Sequence, residues 1–208
     1  MPTHLLGFVV TVWLLTMLPG AGQAVMVRQT LAGGHRRARA TIAGNATGLL
    51  IWSTAAAAGL SAVLLANPGV YEAVRVAGGC VLVVLGITTL RSARRASDTD
   101  TPAVEAERPG RWRAAYLAGL GTALGNPKAG VFAVSVLPQF VTPDGPVLLT
   151  SLALGALWTA INVCWYLLFT WAVGRGGAFF SRPAVRRGLS IGTAAVLVLL
   201  GVSVAAGM

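Results

Sequence analysis

The residue best placed to do chemistry is Lys128. It is the one basic side chain well inside a long apolar stretch, and it follows Asn126-Pro127 directly. An ammonium at membrane depth costs at least ~2.5–3.5 kcal/mol on insertion scales, so a functional role is its default reading. It is suited to pairing with a substrate carboxylate or to titrating during coupling. The bland alternative is snorkelling, in which the long stem carries the charge to the outer interface. A second broken stretch, Leu18-Pro19-Gly20-Ala21-Gly22-Gln23, lies near the start of the chain. Proline lacks an N–H and clashes with the preceding turn, so Pro19 and Pro127 should each break a helix, with Gly20 and Gly125 loosening the backbone beside them. Gln23, Asn45 and Asn126 are amides able to meet a substrate amino group. Together with exposed backbone amides and Lys128, they make Pro19, Gly20, Gln23, Asn45, Asn126, Pro127 and Lys128 the candidate substrate site. For any single amide, and for Asn162 as well, interhelical hydrogen bonding is the plainer role.

The elements that must hold these residues are membrane helices. Of 208 residues, 55% are hydrophobic and only 11% charged, less than half the ~25% usual in soluble domains. Long charge-free runs place six spans near 5–27, 42–65, 71–90, 114–137, 147–172 and 189–207. The first could be misread as a signal peptide, but it has no basic n-region and five further spans follow, so it is kept as a membrane helix.

The net charge of +10 would suggest nucleic acid in a soluble protein. Here its distribution gives a different meaning. Fourteen of the sixteen basic residues fall between spans one and two (Arg28, Arg36, Arg37, Arg39), three and four (Arg91, Arg94, Arg95, Arg108, Arg111, Arg113), and five and six (Arg175, Arg182, Arg186, Arg187). The positive-inside rule places those loops in the cytoplasm and both termini outside. Nucleic acid is therefore not an expected partner, and membrane lipid is.

Three spans, a polar linker and three more spans predict an all-α integral membrane protein of six transmembrane helices, built as two inverted three-helix repeats. The single transmembrane domain covers residues 1–208, with a first repeat 1–91, a cytoplasmic linker 92–113 and a second repeat 114–208. Broken helices at corresponding positions of two halves are the sequence mark of a transporter site. Ala40, Gly44 and Gly48 form a small-residue stripe that allows close helix approach.

No Asp or Glu lies deep in a span, so the fixed intramembrane charge is positive and favours an anionic or zwitterionic substrate over a lipophilic cation. Cys80 and Cys164 stand alone and His4 and His35 are isolated, so no metal site is expected. Phosphate loop, nucleophile elbow and paired carboxylates are all missing from the sequence, which argues against ATP-driven transport, against an enzyme and against any cofactor.

The motifs resemble those of the LysE/RhtB family of bacterial amino-acid exporters over essentially the whole chain. Asn126-Pro127-Lys128-Ala129 is followed by Leu137-Pro138-Gln139-Phe140 at the family's usual distance. The first-helix motif departs from the pattern: Leu18-Pro19-Gly20-Ala21 stands for Thr-Pro-Gly-Pro, and Gly22 occupies a place where the family often has Asp or Asn. The resemblance implies efflux of amino acids or their derivatives across the bacterial inner membrane, exchanged for protons, without ATP. A homodimer is left open. The rival readings are an exporter of metal ions or drugs, and a non-transporting membrane assembly subunit.

Overall fold

A computed structural model of the chain describes residues 5–17, 20–66, 68–95, 112–141, 145–180 and 183–206. Those residues are helical almost throughout, with no strand among them. This agrees with an all-α membrane protein, in which only hydrogen-bonded helices or closed barrels can satisfy the backbone. Pro19, Asp144 and most of the linker 92–113 lie outside the described residues.

The elements are α1 (Leu5–Met17), α2 (Ala21–Ala66), α3 (Pro68–Arg95), α4 (Trp112–Leu124), α5 (Pro127–Val131), α6 (Val147–Phe180) and α7 (Pro183–Ala206). Between α5 and α6 the chain loosens into a π-helical turn, Phe132–Val136, then tightens into a 3-10 turn, Leu137–Phe140. At ~1.5 Å per residue a straight helix of the length of α2 would far exceed a bilayer. It is folded back at Gly33 and Gly34, and Gly34 has φ 64 and ψ −165, a conformation open to glycine alone. The turn falls in the Arg-rich loop that the sequence places in the cytoplasm, so α2 supplies the second limb of one predicted span and the whole of the next.

Among the described residues, one unbroken helix, Val147–Arg175, is long and apolar enough to cross a membrane, with mean hydropathy 1.8. Leu5–Met17 and Ala21–Leu31 qualify only as a pair bent by 56°. The segments expected to span are helical where described, but of unequal continuity. The fourth in particular is cut at Gly125-Asn126, leaving α4 with 13 residues and α5 with 5.

Small residues set how the helices meet. A Cβ on Gly44 would run into the Tyr116 carbonyl of α4, and a Cβ on Gly119 into the Thr41 carbonyl of α2. Gly48 faces Leu120 and Ala123, so these two helices run parallel with backbones in contact. Gly79 and Gly201 form a reciprocal contact, the Cβ position of each 2.6 Å from the carbonyl oxygen of the other, while Gly86 meets Ala194 and Val198. Hence α3 and α7 run antiparallel. Gly22 lies against Tyr166 and Met26 clusters with Phe169 and Val173, so the first limb of α2 is parallel to α6, while His35 against Gly174 and Ser53 against Gly155 show the second limb antiparallel to it.

Two apolar clusters fill the interior. One joins Phe8, Leu15, Leu49, Phe132, Leu154 and Trp158, with Phe132 and Trp158 ring centroids 4.6 Å apart. The other joins Met26, Ile42, Tyr166, Phe169 and Val173. Elsewhere large apolar side chains such as Leu148, Leu149, Leu168 and Trp171 point outward, as lipid-facing positions do.

Gly119→Ala should lower the thermal midpoint of the detergent-purified protein, because α2 and α4 must separate at a cost of ~1–3 kcal/mol. Gly121→Ala, whose Cβ meets nothing within 4 Å, should leave the midpoint unchanged or raise it.

Candidate functional site

The site is built where two helices stop inside the protein. The carbonyls of the last turn of a helix have no intrahelical partner, and α1 ends at Met17. Its freed carbonyls are taken by side chains from later segments. The amide nitrogen of Gln23 donates to the Met17 oxygen at 2.9 Å and to the Thr16 oxygen at 3.1 Å. Lys128 Nζ donates to the Leu15 oxygen at 3.1 Å, across 113 residues of sequence. The ammonium therefore turns inward to the broken end of α1, close to Gly20, whose Cβ position is 3.8 Å away.

The second break has the same logic. The Ala123 oxygen near the end of α4 accepts from Trp52 Nε1 at 3.2 Å. Asn126 is the N-cap of α5, its side-chain oxygen accepting from the Lys128 backbone N–H at 3.1 Å, and Pro127 sits at the first helical position, where a missing N–H costs nothing. Asn-Pro-Lys is thus a stop, a restart and a charge placed one residue into the new helix.

Gly20, Gln23, Asn45, Asn126 and Lys128 line one cavity of about 30 Å³, enough for a few waters at most. Five of the seven residues singled out from the sequence meet there. Pro127 shapes the wall by starting α5 but is not part of the lining. Pro19 falls outside the described residues, next to Gly20. Asn45 is buried in the wall contributed by α2. Gln23 spends both donor hydrogens on α1, so it is first a clamp on the break.

Three further polar residues complete the lining: Thr16, Asn162 and Tyr166. Thr16 Oγ1 and Asn162 Oδ1 are buried without a hydrogen-bond partner, whereas buried polar groups are nearly always paired. Asn162 and Tyr166 are four residues apart on α6 and so share a helix face. That spacing was visible in the sequence, but nothing there said which face looked inward. Gly22 matters for a related reason, because the Tyr166 hydroxyl occupies the space its Cβ would need. The apolar remainder of the wall includes Leu15, Leu49, Phe132 and Trp158, and no acidic side chain is among the described residues lining it. No group of three or more His, Cys, Asp or Glu able to hold a metal occurs among the described residues.

The match to the LysE type translocator family spans residues 13–207. The chain belongs to the LysE family. Among curated relatives, it is 28% identical over 194 residues to the homoserine/homoserine lactone efflux protein of Salmonella typhi, covering 93% of this chain and 92% of that one. It is 26% identical over 174 residues to the threonine efflux protein of Escherichia coli (strain K12), covering 83% and 79%. An uncharacterised membrane protein of Bacillus subtilis (strain 168) is 26% identical over 173 residues, covering 81% and 82%. No solved structure matches. This LysE-family chain is accordingly a membrane protein of a transport family. Both halves of its broken-helix site fall within the matched region.

Gln23→Leu removes the donors from two carbonyls in the cavity wall, each of which then bears a desolvation cost of ~1–3 kcal/mol. A clear drop in thermal midpoint is expected in detergent. Asn162→Leu deletes an oxygen that holds no partner and should not lower the midpoint.

Proposed function

We propose that the protein is a secondary exporter of a small zwitterion, an amino acid or a close derivative, across the bacterial inner membrane. The observation that carries this reading is the Lys128 ammonium, held at the broken end of α1 inside a polar cavity whose described lining has no carboxylate. A substrate carboxylate supplies the missing counter-charge. The amide of Asn45, the amide nitrogen of Asn126 and the hydroxyl of Thr16 are available to its polar groups. Relatives named for efflux of threonine and of homoserine support substrates of this size and kind.

On the proposed topology the chain crosses six times, as two inverted three-helix repeats with both termini outside. Helix directions support it. Exchanging the halves turns the parallel pairing of the first and fifth spans into that of the fourth and second. The antiparallel third and sixth spans map onto each other. The two breaks then face one another across the repeat interface, as in transporters built from inverted repeats.

The cavity is too small for an amino acid as it stands, so binding requires its walls to move apart. Its borders include members of both apolar clusters. On this topology the Phe8–Phe132–Trp158 cluster lies on the outer side and the Met26–Phe169–Val173 cluster on the inner side. Parting one while the other stays closed gives alternating access. The proton gradient is the proposed energy source, with protons exchanged for substrate.

The test is release of amino acids from cells loaded with dipeptides, with and without a proton uncoupler. Expression should raise the release of one or a few small neutral amino acids, Lys128→Ala should abolish the increase, and the uncoupler should suppress it. Release indistinguishable from cells lacking the protein, across all amino acids, would refute the substrate class.

A further inference from the structure

Resting on the export reading above, the structure points to a second recognition group that the first does not require. The ammonium of Lys128 can only donate hydrogen bonds, and so can the ammonium of a bound amino acid. A site that holds both ends therefore needs a free acceptor on another wall. The Asn126 oxygen is committed to the α5 cap, and the described carbonyls of the α1 break are already taken by Gln23 and Lys128.

Thr16 Oγ1 and Asn162 Oδ1 are the buried lining acceptors without a partner. Thr16 sits on the α1 wall beside the Leu15 carbonyl that Lys128 holds, so Asn162 on α6 is the one that meets the requirement from a separate wall. Its side-chain oxygen is buried without a partner in a residue only 8% exposed, and the residue lines the cavity. One turn further along the same helix, Tyr166 fills the space left by Gly22 and narrows the cavity beside it. We propose that Asn162 is the residue that recognises the substrate's amino group, accepting from it through Oδ1, and that Tyr166 seated against Gly22 restricts the site to small uncharged side chains. A cationic side chain would find no carboxylate among the described lining residues, and a bulky one would displace Tyr166.

The experiment uses purified full-length protein in liposomes, with counterflow of labelled threonine. Two unlabelled competitors are compared: threonine itself and the same hydroxy acid without its amino group. The ratio of their inhibitory concentrations reads amino-group recognition and does not depend on how much protein is active. The native protein should prefer threonine. Asn162→Leu should shrink that preference about tenfold, the effect of one hydrogen bond of ~1.4 kcal/mol, while Asn162→Asp, which keeps an acceptor, should retain it. An unchanged ratio in Asn162→Leu overturns the role of Asn162. Equal loss of the ratio in both variants also overturns it, because Asn162 would then be acting on packing. If the native protein gives counterflow with no small neutral amino acid, the export reading fails first and this inference with it.

Discussion

A carbonyl freed inside a membrane has no water to turn to, and much of this structure answers that constraint. Three carbonyls at the end of α1, those of Leu15, Thr16 and Met17, are each met by a side chain, and the Ala123 carbonyl at the end of α4 accepts from Trp52 as well as from the Asn126 backbone N–H. The donors come from other segments: Gln23 from the start of α2, Trp52 from its second limb and Lys128 from α5. The breaks therefore hold each other in place. The first half of the chain is completed by a lysine of the second, and the second half by a tryptophan of the first. A polar cavity follows, because groups able to satisfy a broken backbone are also able to hold a ligand. Close contacts at Gly44, Gly119, Gly79 and Gly201 bring the helices near enough for these side chains to reach.

Much of this was legible in one dimension. A charge alone in an apolar run, two prolines at matched places and a stripe of small residues are local signals, and Lys128, Asn126, Gly20 and Gly44 carry them directly. Gln23 was legible as a polar residue in a span but not as a clamp, since that depends on where the chain turns after Met17. Asn162 and Tyr166 needed the orientation of α6, which a helix apolar on nearly every side does not disclose. Hydropathy alone gives each span as one run, but Pro19 and Pro127 already marked the first and the fourth as broken. The structure ends α1 at Met17 and begins α2 at Ala21, cuts the fourth span at Gly125-Asn126, and then loosens Phe132–Val136 into a π-turn. The π-turn leaves no mark in composition, whereas the fold-back at Gly33-Gly34 falls in the Arg-rich stretch already read as a loop.

The same bond that closes the first break gives a physical route from binding to movement. Lys128 Nζ now donates to the Leu15 carbonyl, a neutral acceptor. On the proposed export reading a substrate carboxylate would be a stronger one, because it adds a full opposite charge to a bond in which only the donor is now ionised. Were the ammonium to turn toward that carboxylate, α1 and α5 would lose a tie that spans the two halves, and the Leu15 carbonyl would become available to substrate or water. Binding, so proposed, would weaken the contact that holds the breaks together and replace it with one that runs through the substrate. The short α5 and the π-turn behind it suit such a shift, because a turn already off the α-helical ladder can re-pair its hydrogen bonds with less disruption than a regular helix. Release of the substrate would restore the Lys128–Leu15 bond and with it the closed arrangement described here.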